Sequence, residues 1–312
     1  MQNNTGALGS RVSRLNESVF RLGPLGDPPV LSSYLVLDEK IAIIDCGPVA
    51  VIDQLLELLA TCGVRTSQID YLVLTHIHLD HAGGAARFQK HCSNSLTLIP
   101  ERGFKHMIDP TVLNGSSRPI LGDSIFNSWG GCEPVEKEKS ASVKPHHKVD
   151  LGRLELEYIP APGHAPHHNV ISDIRDSIIF TADALGMLDN ETRSLIPTTP
   201  PPSFDFVQAM KDIDMILDMG ASTACLAHYS EVKPSSEFFD RVKSVYGTWA
   251  KEASRYVEKR KKAVYDKSDF EEVFHELEVN YPEYRMIPPF LFQQATRVDV
   301  GGLLNYFARI TA

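Results

Sequence analysis

No run of about 18 uninterrupted apolar residues occurs in the 312 residues, so no membrane-crossing helix is expected. Cysteine is sparse: Cys46, Cys62, Cys92, Cys132 and Cys225 are scattered, odd in number and form no Cys-x-x-Cys pair. That spacing speaks against a disulfide framework and a thiolate zinc site, and fits reduced thiols, with Cys46 read as a small buried residue. Positive charge does not prevail: 31 Lys and Arg stand against 40 Asp and Glu, a formal net charge of −9. A general phosphate-binding surface needs the opposite balance, so no nucleic-acid partner is expected. The N-terminus from Met1 to Arg14 is polar and lacks the apolar stretch of a secretory signal, which points to a cytoplasmic protein without membrane association. What remains is a chain long enough for a full core and 43% hydrophobic, as ordinary globular proteins are.

One stretch stands out: Thr75-His76-Ile77-His78-Leu79-Asp80-His81-Ala82-Gly83-Gly84. It follows the apolar run Tyr71–Leu74, which reads as a buried strand, and its glycines allow a tight turn into a helix near Ala85. Imidazole nitrogen and carboxylate oxygen both suit zinc, and imidazole also suits iron. His76 and His78, two apart at an extended strand end, point to one side. Asp80 and His81 follow where the loop turns, in position for a second centre. A histidine-rich surface loop without metal is the bland alternative. Four ligand-type residues within six positions at a strand end argue against it.

The run His76-x-His78-x-Asp80-His81 resembles the HxHxDH motif of the metallo-β-lactamase-fold hydrolases, a superfamily that includes glyoxalase II-like thioesterases and lactonases. Three later positions match that family in order. Pro162-Gly163-His164 resembles its third ligand, Asp183 its metal-bridging aspartate, and His228 its last ligand; each stands at or just past a predicted strand end. Asp45, at the end of the strand Ile41–Ile44, matches the aspartate that supports the histidine loop without binding metal. Ala182 is a small departure, since many relatives have glycine before the bridging aspartate.

The resemblance covers residues 17 to 230. It implies an α/β fold, the αββα sandwich of two mixed β-sheets flanked by helices. The expected domains are a catalytic part, 1–230, and a C-terminal helical extension, 231–312. It further implies that His76, His78 and His164 bind one divalent ion and that Asp80, His81 and His228 bind another. Asp183 and a hydroxide, the nucleophile, bridge them, and Asp80 and Asp183 are the catalytic carboxylates. Zinc is the first expectation for the two ions, with iron and manganese as alternatives. The implied reaction is hydrolysis of an ester, lactone or thioester, the partner being a small carbonyl substrate; oligomeric state is left open. The alternative is an iron-dependent oxidoreductase of the same fold, similar to the sulfur dioxygenases, which use one iron and leave some second-site positions unused. The complete ligand set favours hydrolysis. It also argues against a catalytically dead binding module, and the charge balance argues against a nuclease.

Elsewhere the reading is coarser. Pro48–Cys62 and Ser203–Met219 show helical periodicity, the second with Ser203 as its expected N-cap. Pro100–Pro134 reads as a loop-rich insertion walling a substrate pocket, with Phe104 and Trp129 as contacts. His168 and Tyr229 are further candidate substrate contacts. His106, His146, His147 and His167 are read as non-ligands. Leu185–Pro202, with its four prolines, reads as a loop over the site mouth. Past Pro234, Phe238, Val242, Val245, Trp249 and Tyr256 recur at helical spacing. Ser268–Glu271 reads as a capping box and Leu303–Ile310 as a last helix. The run Lys259–Lys262 is read as a solvated face.

Overall fold

The computed structural model describes residues 11–173, 175–229, 231–262, 264–287, 291 and 295–311. The polar N-terminus up to Ser10 lies outside the described residues. Two compact units emerge. The first comprises Met1–Pro160, His167–Phe180 and Ala227–Ser230; the second comprises Ala161–Pro166, Thr181–Leu226 and Glu231–Ala312.

In the first unit a seven-stranded sheet runs in chain order: β1 (Val12–Arg14), β2 (Val19–Leu25), β3 (Leu31–Leu37), β4 (Ile41–Ile44), β5 (Ile69–Val73), β6 (Leu96–Pro100) and β7 (Ser140–Val143). The first four strands pair antiparallel; from β4 onward the pairs are parallel. The change of direction follows from the connections. Short turns join the antiparallel strands, whereas parallel neighbours need crossovers, which here carry helices. These are α1 (Ile52–Thr61) between β4 and β5, then α2 (Leu79–Ala82) and α3 (Ala85–His91) between β5 and β6. The α1 face Ile52, Leu55, Leu58 and Leu59 is buried with Leu35, Ile43, Leu72, Phe88 and Ile99 in one apolar core.

Two expectations change here. Residues 100–134 are not loop-rich but form three short helices: α4 (Glu101–Ile108), α5 (Thr111–Leu121) and α6 (Asp123–Trp129). Some of the Gly and Pro residues that suggested a loop are punctuation, since Pro110 and Gly122 precede helices and Gly130 ends α6 in a left-handed turn, whereas Gly103, Gly115 and Pro119 are carried inside the helices. Gly83 and Gly84, in turn, keep negative φ values. They are required by close approach, not by turn geometry. A Cβ on Gly84 would lie 2.6 Å from Ile52 Cδ1 and 3.0 Å from the Gly47 carbonyl oxygen.

The second sheet holds β8 (Lys148–Asp150), β9 (Glu155–Pro160), β10 (Asn169–Asp173) and β11 (Ile178–Ala182), joined in antiparallel pairs. Its first-unit part packs on the first sheet. The Tyr34 and Phe180 rings meet edge-on at 5.3 Å, and the Tyr158 hydroxyl donates to the Leu98 carbonyl at 3.2 Å. Two large sheets with flanking helices give the expected αββα architecture.

The second unit contains the hairpin β12 (Met187–Leu188) and β13 (Leu195–Ile196), α7 (Phe206–Asp218), β14 (Thr223–Leu226), β15 (Glu231–Val232), α8 (Ser236–Arg260), α9 (Lys267–Asn280) and α10 (Gly301–Thr311). The sheet order is β15-β14-β11-β10-β9-β8. The segment read as a loop over the site mouth is a buried hairpin instead: Leu185, Met187, Leu188, Leu195 and Ile196 are all withdrawn from solvent. Both expected caps move by two residues. The N-cap of α7 is Asp205, whose side chain accepts from Gln208 N–H, and the α9 capping box is Asp266 with Asp269. In each case an aspartate carboxylate takes the position assigned to a serine. On α8, Phe239 and Tyr246 are buried where Phe238 and Val245 were expected. Lys259–Lys262 is exposed, and Arg260 and Lys262 pair with Glu272 and Asp269. No helix among the described residues is long and apolar enough to cross a membrane.

Gly84→Ala should lower stability by about 1–3 kcal/mol, the usual cost of forcing a methyl into a packed core. A urea midpoint lowered at unchanged slope is the expected result. A wild-type midpoint would show that Ile52 and the Gly47 backbone can yield.

Candidate metal centre

Every predicted ligand stands where a strand gives way to a loop or a helical turn. His76 and His78 follow β5. Asp80 and His81 lie in α2, one helical turn and not an open loop. His164 follows β9, Asp183 follows β11, and His228 follows β14.

Hydrogen-bond partners set the tautomers of three of these histidines, His76, His81 and His164. Asp45 Oδ1 accepts the Thr75 N–H at 2.8 Å; Oδ2 accepts the Thr75 hydroxyl at 2.7 Å and lies 2.8 Å from His81 Nδ1. A carboxylate only accepts, so His81 Nδ1 carries its proton and Nε2 keeps a lone pair. The single Thr75 hydroxyl proton is engaged with Asp45, so its oxygen accepts from His76 Nδ1, 3.0 Å away. His76 Nε2 therefore also keeps a lone pair, 3.1 Å from His78 Nδ1. His164 Nδ1 donates to the Thr198 carbonyl at 3.0 Å, and its Nε2 faces Asp183 Oδ2 at 3.2 Å. The Nε2 atoms of His81 and His228 each lie 3.7 Å from Asp80 Oδ2.

The donor atoms form two groups. Those of His76, His78, His164 and Asp183 lie within 4.8 Å of one another, and so do those of Asp80, His81, Asp183 and His228. Asp183 belongs to both. Each group offers four nitrogen or oxygen ligands, the number and donor type that zinc takes, and imidazole with carboxylate also suits iron. The residues thus fit a two-metal centre by number and chemistry, and His76, His81 and His164 fit it by tautomer as well.

The supports are as specific as the ligands. The His81 carbonyl accepts from Cys46 and Gly47 N–H, both at 3.0 Å. Leu31 makes an antiparallel bridge with His228, flanked by Ser32 N–H to Ala227 O and Tyr229 N–H to Val30 O. Gly163 N–H donates to Asp212 Oδ2 at 2.6 Å, and a Cβ on Gly163 would lie 2.3 Å from Ala209 Cα, so only glycine lets this turn lie against α7. Burial pushes the Asp212 carboxyl above its usual range, against the Gln208 and Gly163 hydrogen bonds. Asp45, Ala182 and Tyr229, each beside a ligand or its support, have left-handed φ values of 54°, 46° and 71°. The left-handed backbone at Ala182 gives the physical reason why glycine suits that position.

The remaining candidates divide. His168 is buried, its ring 4.9 Å from that of His76; Tyr229 is buried next to His228. Phe104 on α4 and Trp129 on α6 are half-buried and pack on the first unit's apolar core. His106 is half-buried on α4, while His146 and His147 are exposed, His146 lying 3.0 Å from Glu157. Burial pushes the Cys46 thiol well up, with Asp45 adding to it, which makes a poor nucleophile. His167, read from the sequence as a non-ligand, has its ring 5.2 Å from that of His78 and 6.0 Å from that of His76. Burial first, then His78, holds its imidazole well below the usual range. Sequence reading assigned no role to Thr75, Thr198 and Asp212, which carry no ligand signal of their own.

The family model "Metallo-beta-lactamase superfamily" matches residues 26–228. The metallo-beta-lactamase fold-containing protein ST1585 of Sulfurisphaera tokodaii is 29% identical over 218 residues, covering 68% of this chain and 77% of that protein. The N-acyl homoserine lactonase AttM of Azorhizobium caulinodans is 22% identical over 183 residues, 55% of this chain and 63% of that one. Among solved structures, the metallo-beta-lactamase family protein TTHA1429 of Thermus thermophilus superposes with a TM-score of 0.70 at 15% identity, covering 96% of this chain and 94% of that one.

Asp45→Asn replaces one acceptor oxygen by a donor, so His81 or Thr75 loses its partner. Metal affinity should fall ~10–100-fold, as when such supporting groups are removed elsewhere. Competition against a chelator measures it; wild-type affinity in the variant would remove Asp45 from the support of the ligands.

Proposed function

The chain belongs to the metallo-beta-lactamase superfamily, and on that footing we propose that it is a binuclear metal-dependent hydrolase of a small ester, lactone or thioester. The observation that carries this reading is the pair of four-donor groups sharing Asp183. Similarity to a protein named as a lactonase supports the carbonyl substrate class and, within it, favours a lactone.

Two divalent ions bound here would lower the pKa of water towards neutrality and polarise the substrate carbonyl. His76, His78 and His164 would hold one, Asp80, His81 and His228 the other, with zinc the first choice and iron or manganese as alternatives. Asp183 would contribute charge to both and so offset part of their mutual repulsion. Asp80 lies 3.7 Å from the Nε2 atoms of His81 and His228, and it would also accept a hydrogen bond from the attacking water, aligning it. The histidine tautomers need no change for this, because Asp45, Thr75 and Thr198 already hold the Nδ1 protons of His81, His76 and His164. In the iron-dependent oxidoreductase reading one ion suffices and the second group of four is redundant; the complete second group favours hydrolysis.

Protein made in metal-replete medium should hold about two ions per chain and turn over a member of a lactone, ester and thioester panel. A chelator should abolish the activity and added zinc or manganese should restore it. One ion per chain, with oxygen consumed on a persulfide and no carbonyl substrate cleaved, would replace this reading with the oxidoreductase.

Asp183→Asn should cost ~10²-fold or more in rate, the scale of losing one charge-stabilising contact at the reacting centre. The amide keeps the shape but loses the charge, so one ion should also be lost. Full occupancy with a rate above that of Asp45→Asn would show that Asp183 does not bridge.

A further inference from the structure

We propose that Tyr246, on the C-terminal helix α8, is a positioning residue for the metal ligands His164 and Asp183, acting through Thr198. The proposal rests on the metal-centre reading and assigns the C-terminal helices a part in it. All four residues belong to the second unit.

Thr198 touches both ligands. Its carbonyl accepts the His164 Nδ1 proton at 3.0 Å, and its hydroxyl donates to the Asp183 carbonyl at 2.5 Å. Thr198 is in turn held by Tyr246. The Thr198 N–H donates to the Tyr246 hydroxyl at 3.2 Å, and the two hydroxyl oxygens lie 3.2 Å apart. Proton counting orients this second contact. The one Thr198 hydroxyl proton is committed to Asp183, so the phenol must be the donor and Thr198 Oγ1 the acceptor.

Tyr246 thus takes a hydrogen bond from the threonine backbone and returns one to its side chain, fixing the residue at two points. Burial pushes the Tyr246 phenol up, so it keeps the proton this arrangement needs. The next residue is tied to the same C-terminal part: Thr199 N–H donates to Asp299 Oδ1 at 2.9 Å and its hydroxyl to the Asp299 carbonyl at 2.7 Å. Thr198 and Thr199 together are therefore anchored to α8 and to the short π-helical segment Ala295–Val300 that leads into α10. A shift of Thr198 would rotate the His164 imidazole and displace the Asp183 backbone at once.

Tyr246→Phe keeps the ring and deletes the hydroxyl. Tyr256→Phe is the control, because Tyr256 is a buried tyrosine on the same helix whose hydroxyl donates towards Asp269 and Glu272 and not to Thr198. Zinc affinity, by competition with a chromophoric chelator, should fall ~10-fold or more in Tyr246→Phe and stay within about 2-fold of wild type in Tyr256→Phe. The ligand-field bands of the cobalt-substituted protein should shift only in the former. Equal affinities and equal spectra in the two variants would overturn the proposal. Thr198→Val, which retains the carbonyl to His164 but loses the hydroxyl, should weaken zinc in the same direction; wild-type affinity there would overturn it independently. A wild-type protein that holds no zinc against the chelator would instead refute the metal-centre reading itself.

Discussion

Asp45 holds three donors, and how the ligand strand is presented follows from those three bonds. Two come from Thr75, the residue immediately before His76, and the third from His81. One carboxylate thereby sets the tautomer of His81 directly and that of His76 through the threonine hydroxyl. Without this arrangement each imidazole could protonate either nitrogen, and half of those states would turn a proton towards the metal position. A carboxylate behind a ligating imidazole also raises its basicity. The adjoining Cys46 and Gly47 N–H groups grip the His81 carbonyl, so side chain and backbone of one ligand are held by three consecutive residues.

Such fixing has a cost, visible in the backbone. Asp45, Ala182 and Tyr229 occupy left-handed conformations, each unfavourable by about 1–3 kcal/mol for a residue with a side chain. None is a random outlier: Asp45 supports two ligands, Ala182 precedes the shared aspartate, and Tyr229 follows the last histidine. Each of these three residues stands at or just past a strand end. The opposing stabilisation is local. At Tyr229 it is the N–H to Val30 and the carbonyl accepting from Arg21 and Ser32; at Asp45 it is the triple acceptance already described.

The strands nearest the ligands could be read from sequence because both periodicity and burial marked them. Ile41–Ile44 was legible to the residue, and β5, read as Tyr71–Leu74, to within two residues at its start and one at its end. β7, Ser-Ala-Ser-Val, was not legible: it is a short polar edge strand with no apolar alternation to announce it. The helices of 100–134 were hidden because each is only 7–11 residues long and bounded by glycine or proline. All seven residues of the two donor groups are legible through one motif and three strand ends. Their supports are not, because Thr75, Thr198, Asp212 and Tyr246 are common residue types whose meaning lies in partners 30 or more positions away. The buried hairpin at 185–202 was misjudged for a related reason. Its prolines exclude a helix, but only the packed structure shows that its apolar residues face inward and that Thr198 reaches a ligand.

The two donor groups are not electrostatically equal, and the difference comes from what stands behind the ligands. In the group His76, His78, His164 and Asp183, the supporting acceptors of His76 and His164 are a hydroxyl and a peptide carbonyl, both neutral, and there is one carboxylate among the donors. In the group Asp80, His81, Asp183 and His228 there are two carboxylates, and a third, Asp45, stands directly behind His81. Asp45 and Asp183 are buried, and burying a carboxylate is costly unless a cation or several donors compensate it. Asp45 has its three donors. A divalent cation held between Asp80, Asp183 and the facing imidazoles would compensate that charge further and fit their lone pairs. An ion in the more negative group would be held by charge as well as by donor geometry, whereas one in the other group would depend more on imidazole orientation. That makes the orientation of His164, set by Thr198, matter most on the side where charge contributes least.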